Sequence, residues 1–540
     1  MDAGDVVLKE HFSTAARNAR YHSPTAQNEL VAACEEWIQE KILLEVRKAK
    51  YFTVCADEAA DVSNKEQLPL VLRFVDEAGM IREEFVEFIL CESGTTGEAL
   101  ARTITSTLEK FALDLSCLRG QGYDGAGNTA GKYNGTAAII QDGYPKATYI
   151  HCAAHSLNLC VVSACSIPAI RNTHGALQEI RIFFNYSPKR QAELERQIKL
   201  LPLVESRRQK LVNLCKTRWV ARIEAYEVFM EVMPAVVGTM ETISTESGWN
   251  SESSQKAASL LTAITQFEFL VAFVITKCGF GFIKGLTVSL QSHFQDICNA
   301  YNEVDNVKSA LREVRSNVDT HHKTWYDIAI TLGDTVNTPP SIPRRCVRQT
   351  SRCNVPGDTP EEYYRRAITI PFLDELLSHL DTRFTKTQQL AVKALSIVPS
   401  VLLQASESHS QNSNSQLVDE LTKFYEDDMP SSSSLSQELH LWKCKWQRYS
   451  GELPNTPSKA LLHASANMFP NIHCLLRVIC TLPVTSCECE RSISVLRRLK
   501  TYLRSTMGQE RLTGLVLMHA NYDMELNLDE IVSIFARQHP

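Results

Sequence analysis

No Cys-x-x-Cys pair occurs anywhere in the 540 residues, although the chain holds 17 cysteines. The nearest arrangements are Cys152-x-x-His155 and Cys487-x-Cys489. Neither has a second half at zinc-finger spacing, which argues against a structural zinc site. An odd number of cysteines scattered over apparent strands and helices reads as reduced thiols of a cytosolic or nuclear protein, not as a disulfide framework. The opening MDAGDVVLKEHFSTAARNAR has no apolar segment of the signal-peptide kind. Also missing is the uninterrupted apolar run of roughly 18 residues that a membrane span needs. The most apolar stretch, FEFLVAFVITKCGFGFIKGLTVSL from Phe267, contains Lys277, Lys284 and several glycines and reads as a buried helix, so no membrane partner is expected. There is no overall positive charge either. The formal net charge is -6, so contact with a polyanion has to come from local basic patches. No repeat of fixed period appears.

What is present is ordinary globular material. A hydrophobic content of 44% over this length supports two to four domains with real cores. After an amphipathic stretch at LVAACEEWIQEKILLEV, the period changes: YFTVCA, QLPLVLRFV and REEFVEFIL are short β-rich runs joined by polar turns, the pattern of an antiparallel meander. TTGEALARTITSTLEKFAL follows with helical spacing and a plausible N-terminal cap at Thr95, Thr96 and Glu98. Next come a strand in LSCLRGQGYD, a helix from about Asn128 to Ile140, a strand in ATYIHCA and a helix in AHSLNLCVVSAC. The order is β-β-β-α-β-α-β-α. From about Ile167 to Leu461 the pattern is almost wholly helical, with loops expected at 337–360, 406–416 and 430–437. The segment from Phe469 is helical again.

GQGYDGAG, Gly120 to Gly127, contains the G-x-G-x-x-G of a dinucleotide-binding turn. That fingerprint needs the first strand of a parallel βαβ unit and an acid at the end of the next strand. Here the preceding strands form a meander, the next strand ends in His151-Cys152, and Asp124 would set a carboxylate beside the phosphates. The functional group is therefore read as Asp124 itself, at the end of a fourth strand. Its natural partner is Asp57, at the end of the first, because strands one and four are neighbours in a sheet of this order. Two carboxylates held together repel unless a divalent cation lies between them. A third acid on a later helix would complete a two-metal site of phosphodiester chemistry, with ions roughly 3.5 to 4 Å apart. The strand order is the ribonuclease H-like one. The plainer roles are a turn cap for each aspartate, with Glu58 and Asp61 as solvated neighbours.

The runs ADEAADVSN, GYDGAGNTAGKYNG, HCAAHSLNL, CKTRW and SCECERSISVLRRLK, the last trailing into RLTGLVLMHAN, together resemble the hAT transposase superfamily. The resemblance is closest to its branch of host-domesticated members of the zinc finger MYM-type protein 1 kind and covers the chain from about residue 20. It implies an α/β fold plus a large all-α insertion: a ribonuclease H-like catalytic core split by a helical insertion domain. It divides the chain into an N-terminal helical segment (1–47), the first part of the core (48–166), the insertion (167–465) and a C-terminal dimerisation region completing the core (466–540). It also implies a catalytic and metal-binding set of Asp57, Asp124 and Glu490, since Glu490-Arg491-x-x-Ser494 matches the family's E-R-x-F-S run, with Ile493 in place of Phe. Mg²⁺ or Mn²⁺ is the implied cofactor of an active member. Glu488, two residues away, would face elsewhere on a helix. Cys152 and His155 match a C-x-x-H motif whose His approaches the scissile region. Arg218 and Trp219 match an R-W motif whose Trp stacks on an unpaired base.

Positive charge is concentrated before and around that motif, in Lys189, Arg190, Arg196, Lys199, Arg207, Arg208, Lys210, Lys216, Arg218 and Arg222, and again at Arg344, Arg345, Arg348 and Arg352. Such a patch can track a DNA backbone or simply be a solvated helix face. The expected partners are DNA and a second copy of the chain, and the expected compartment is the nucleus. Family members carry an N-terminal zinc finger, whereas this chain starts almost directly at the helix before the catalytic strands. The expectation is thus a transposase-derived protein with a candidate DDE site and unsettled present activity. The alternative is a domesticated, catalytically silent descendant acting as a dimerising regulator.

Overall fold

The computed structural model describes residues 6–16, 21, 23–201, 219–292, 296–343, 355, 357–407 and 411–538. The chain forms two compact units. The first comprises residues 1–152, 293–298 and 390–540; the second comprises 153–292 and 299–389. Residues 390–465, which the sequence reading assigned to the helical insertion, belong to the first unit.

The first unit is built on a mixed sheet of β1 (Phe52–Ala56), β2 (Ala59–Ala60), β3 (Glu66–Val75), β4 (Ile81–Leu90), β5 (Leu118–Tyr123) and β6 (Thr148–His151). Strand β3 lies between β4 on one side and β1, continued by β2, on the other; β5 and then β6 follow beyond β1. The first three long strands are antiparallel, with Phe52 opposite Phe74 and Arg73 opposite Glu83. The β1–β5 and β5–β6 pairs are parallel. Every residue of β1 is buried, as expected of a central strand covered on both faces. The edge strand β4 mixes buried Phe85, Val86 and Phe88 with partly exposed polar positions. Its hairpin turn is fixed by Asp76, whose side chain accepts from the Met80 amide at 2.8 Å, and by Gly79 at φ +81°.

The glycines of β5 serve packing. A Cβ on Gly120 would collide with Thr53 and Pro483, and one on Gly122 would lie 3.0 Å from the Cys55 sulfur and 3.1 Å from Pro483. Their bareness lets the buried segment Thr481–Ser486 lie across β5 and β1 on its way into the Cys487–Leu499 helix. On the opposite face of β5, Gln121 donates to the carbonyls of Ala137 and Ala147 at 2.9 and 3.0 Å. The helix expected from Asn128 to Ile140 is broken into Gly127–Ala130 and Thr136–Gly143. At the break Gly131 and Gly135 pack backbone to backbone, an approach that any Cβ would block.

In the second unit the described elements are helices, centred on Phe267–Ser289. That helix is apolar all round and buried against Pro168–Asn185, Trp219–Thr245 and Val318–Thr335, the expected behaviour of a core helix. Among the described residues it is also the single unbroken helix long and apolar enough to cross a membrane. Its aromatic residues interlock with those of its neighbour, Tyr226 stacking on Phe273 at 5.0 Å. Lys284, one of the charges that interrupt its sequence, reaches outward to Glu227 at 2.7 Å. The stretch read as a loop at 406–416 runs into the Gln411–Phe424 helix of the first unit, held by the buried Val418 and Leu421 further along.

Candidate functional site

Strands β1 and β5 each end one residue before an aspartate. In their parallel register Cys55 stands opposite Gly122, so Asp57 and Asp124, each two residues further on, lie level with one another. The third acid arrives from the far end of the sequence. Pro483 rests over Gly122, the Ser486 amide donates to the Cys152 sulfur at 3.2 Å, and the Cys487 thiol bonds that same sulfur. The helix that starts there carries Glu490 in its first turn. Cys152 is fully buried, and its observed part in the site is to anchor this helix.

Electrostatics show that the three acids share a neighbourhood. The Asp57 carboxyl is pushed up to about 8, first by burial and then by the charges of Asp124 and Glu490. A backbone bond from the Glu58 amide at 3.0 Å opposes the shift. Burial and Asp124 likewise push Glu58 up to about 7, while Asn128 donates to it at 2.7 Å. Glu58 is thus a fourth carboxylate of the cluster, not the solvated neighbour of the plainer reading, because the β5 turn folds over it. Asp61 also departs from the plainer reading: it is buried and paired with the buried Lys500 at 2.5 Å.

Asp124 has a turn role as well. Its carboxylate accepts from the Ala126 amide at 3.1 Å and the Thr129 hydroxyl at 3.0 Å, as in an Asx turn. Glu488 faces elsewhere, pairing with Arg491 at 2.7 Å and sensing Glu83 and Glu84. Among the described residues no three His, Cys, Asp or Glu side chains are drawn in tightly enough to form a finished metal site. The donor set itself, three carboxylates joined by Glu58, has the hard oxygen chemistry that suits magnesium or manganese.

Of the residues expected to touch DNA, His155 lies in the first turn of the Ala153–Ala164 helix of the second unit, partly exposed. Trp219 opens the Trp219–Thr245 helix, which also contains Arg222. Lys216 and Arg218 fall outside the described residues, as do Arg207, Arg208, Lys210 and the arginines at 344, 345, 348 and 352. In the described part of the basic stretch, Lys189 lies 4.4 Å over the Trp249 ring, Arg190 lies 4.2 Å over Phe183, and Arg196 pairs with Glu193 at 2.5 Å. These contacts belong to the helical packing.

Residues 3–135 match the family described as ZMYM1/FAM200, RNase-like domain. Residues 459–524 match the hAT family C-terminal dimerisation region. Over 99% of its length the chain is similar to the 52 kDa repressor of the inhibitor of the protein kinase. Identity is 30% to the Homo sapiens protein, covering 70% of it, and 31% to the Mus musculus protein, covering 71%.

Proposed function

Because the chain belongs to the hAT transposase-derived proteins, the family of the 52 kDa repressor, we propose that it is a nuclear, DNA-acting protein. In this reading the sheet unit is a ribonuclease H-like core into which the helical unit is inserted. Asp57, Asp124 and Glu490 hold Mg²⁺ or Mn²⁺ for cleavage or transfer of a DNA strand. The dimerisation region, which the chain carries, joins two copies. His155, Lys216, Arg218, Trp219 and Arg222 are the proposed DNA contacts of the helical unit.

The observation that carries the reading is the level placement of Asp57 and Asp124 at the ends of parallel neighbours, with Asp57 raised to about 8 by burial first and then by Asp124 and Glu490. Burial of mutually repelling carboxylates is costly, and a bound cation removes the cost. A bound divalent ion would supply Lewis-acid polarisation of a phosphoryl oxygen and a more acidic water. The chain's own part is to fix the donors. The Ala126 amide and Thr129 hydroxyl orient Asp124, the Glu58 amide orients Asp57, and Cys152 seats the helix of Glu490. Until an ion binds, Asp57 and Glu58 keep protons that ordinary surface carboxyls lose.

A second reading, a silent regulatory descendant, is favoured by the engagement of Asp124 in its own turn. The name of the relatives, a repressor, suits it as well. Calorimetric titration of Mn²⁺ into the protein and its Asp124→Asn variant separates the two. Binding by the parent that weakens at least about tenfold in the variant supports the metal site. No binding heat in either leaves the regulatory reading.

A further inference from the structure

Between Arg491 and Gln509 the chain carries five basic residues and no acid. Two of the five have partners: Arg491 pairs with Glu488 and Lys500 with Asp61. Arg497, Arg498 and Arg504 are exposed, and no ion pair engages any of them among the described residues. Between them stands the short turn Tyr502–Arg504, in which Tyr502 is 87% and Leu503 92% exposed. The turn is not a loose tip. Lys500, at its base, is buried against Asp61, and the Ser63 hydroxyl donates to the Ser505 carbonyl at 3.0 Å. Both anchors lie in the loop that begins four residues after Asp57, so the exposed ring is held on the segment next to the acid end of the sheet.

We infer that the turn at Tyr502, with Arg497, Arg498 and Arg504, is a docking surface for single-stranded nucleic acid, Tyr502 stacking on a base and the arginines meeting flanking phosphates. The inference deepens the proposed DNA function and rests on that reading for its biological setting. An aromatic face offered to solvent among cations suits an unpaired base, whereas a base in duplex hides its face in the stack. The turn lies within the segment that matches the hAT C-terminal dimerisation region, so a second copy is the competing occupant; the run of cations without an acid from Arg491 to Gln509 favours a phosphate backbone over it. Tyr522 makes a useful contrast: it is 84% exposed but stands beside Asp523 and Glu525.

The test is fluorescence anisotropy of a labelled single-stranded 20-mer and its duplex with the full chain, in EDTA so that no metal chemistry intervenes. Tyr502→Ala should weaken single-strand binding about tenfold and Tyr502→Phe should restore it, since stacking needs the ring alone. Arg497→Gln with Arg498→Gln should lower the salt dependence by about 1.4 in log–log slope. Tyr522→Ala should change nothing. Unaltered single-strand affinity in Tyr502→Ala, or no single-strand binding by the parent, overturns the inference. A smaller sedimentation coefficient for Tyr502→Ala with unaltered affinity overturns it in favour of a subunit contact. Absence of metal-dependent cleavage with Tyr502-dependent binding intact sinks the catalytic reading and leaves this surface standing.

Discussion

At the end of the sheet where β5 begins, the buried Asp428 takes two bonds from Arg119, at 2.5 and 2.9 Å, and a third from Lys146 at 3.1 Å. At the end where β5 stops, Asp57 and Asp124 are held by amides and a hydroxyl, and no ion pair engages either among the described residues. One strand thus connects a carboxylate met by two cations to a pair of aspartates met by amides and a hydroxyl. Elsewhere in this unit Glu83 follows the first pattern, with Arg73 at 2.6 Å, as does Asp61 with Lys500, whereas the buried Glu438 is held by the amides of Asn471 and Ile472. The two ends thus differ in what faces their aspartates: an arginine and a lysine at one, amides and a hydroxyl at the other.

The sharpest way to break this comparison is to make the two ends alike. Arg119→Met leaves the buried Asp428 with Lys146 as its remaining cation, and urea unfolding at pH 7 should lose about 3 kcal/mol. A loss no larger than that of a surface substitution would show that Asp428 does not need its partner.

Asp57→Asn should act with the opposite sign. Burial, with Asp124 and Glu490 beside it, pushes the folded carboxyl up to about 8 from an ordinary value of 3.8. Between those values the folded state binds more protons than the unfolded state, and stability falls as pH rises. The variant should therefore be about 2 kcal/mol more stable than the parent at pH 8, with the gap closing toward pH 4. A variant less stable than the parent throughout would mean that the carboxylate is structural.

Glu35 provides a smaller version of the same effect. Half-buried on the Pro24–Ala49 helix, it is pushed up to about 8 by burial, then by Glu87 and Glu510, with Lys110 opposing. Glu35→Gln should add about 1 kcal/mol at pH 8 and nothing near pH 4, the gain reduced by partial solvation. Equal gains at both pH values would trace the effect to helix propensity instead.

Much of this contrast was legible in the chain itself. The alternation from helical to strand periods gave the strand order, and the aspartates at the ends of YFTVCA and LRGQGY followed as level neighbours once β1 and β5 were taken as parallel. The places of Glu58 and Asp61 were not legible, because polarity in a turn says nothing about what folds over it. The glycines of GQGYDGAG gave a ligand-like signal, but Gly120 and Gly122 make room for Pro483. The Cys152–Ser486 bond had no local signal at all, since its partners are far apart in sequence.

By itself, then, the sequence determined the strand order, the places of Asp57 and Asp124 at their strand ends and the family, because period, turn chemistry and motif order are local properties of the chain. Only the tertiary structure decided that Glu58 joins the cluster, that Lys500 neutralises Asp61, and that Tyr502 stands exposed on an anchored turn. Burial and charge compensation depend on which distant segments meet, and those contacts form in three dimensions.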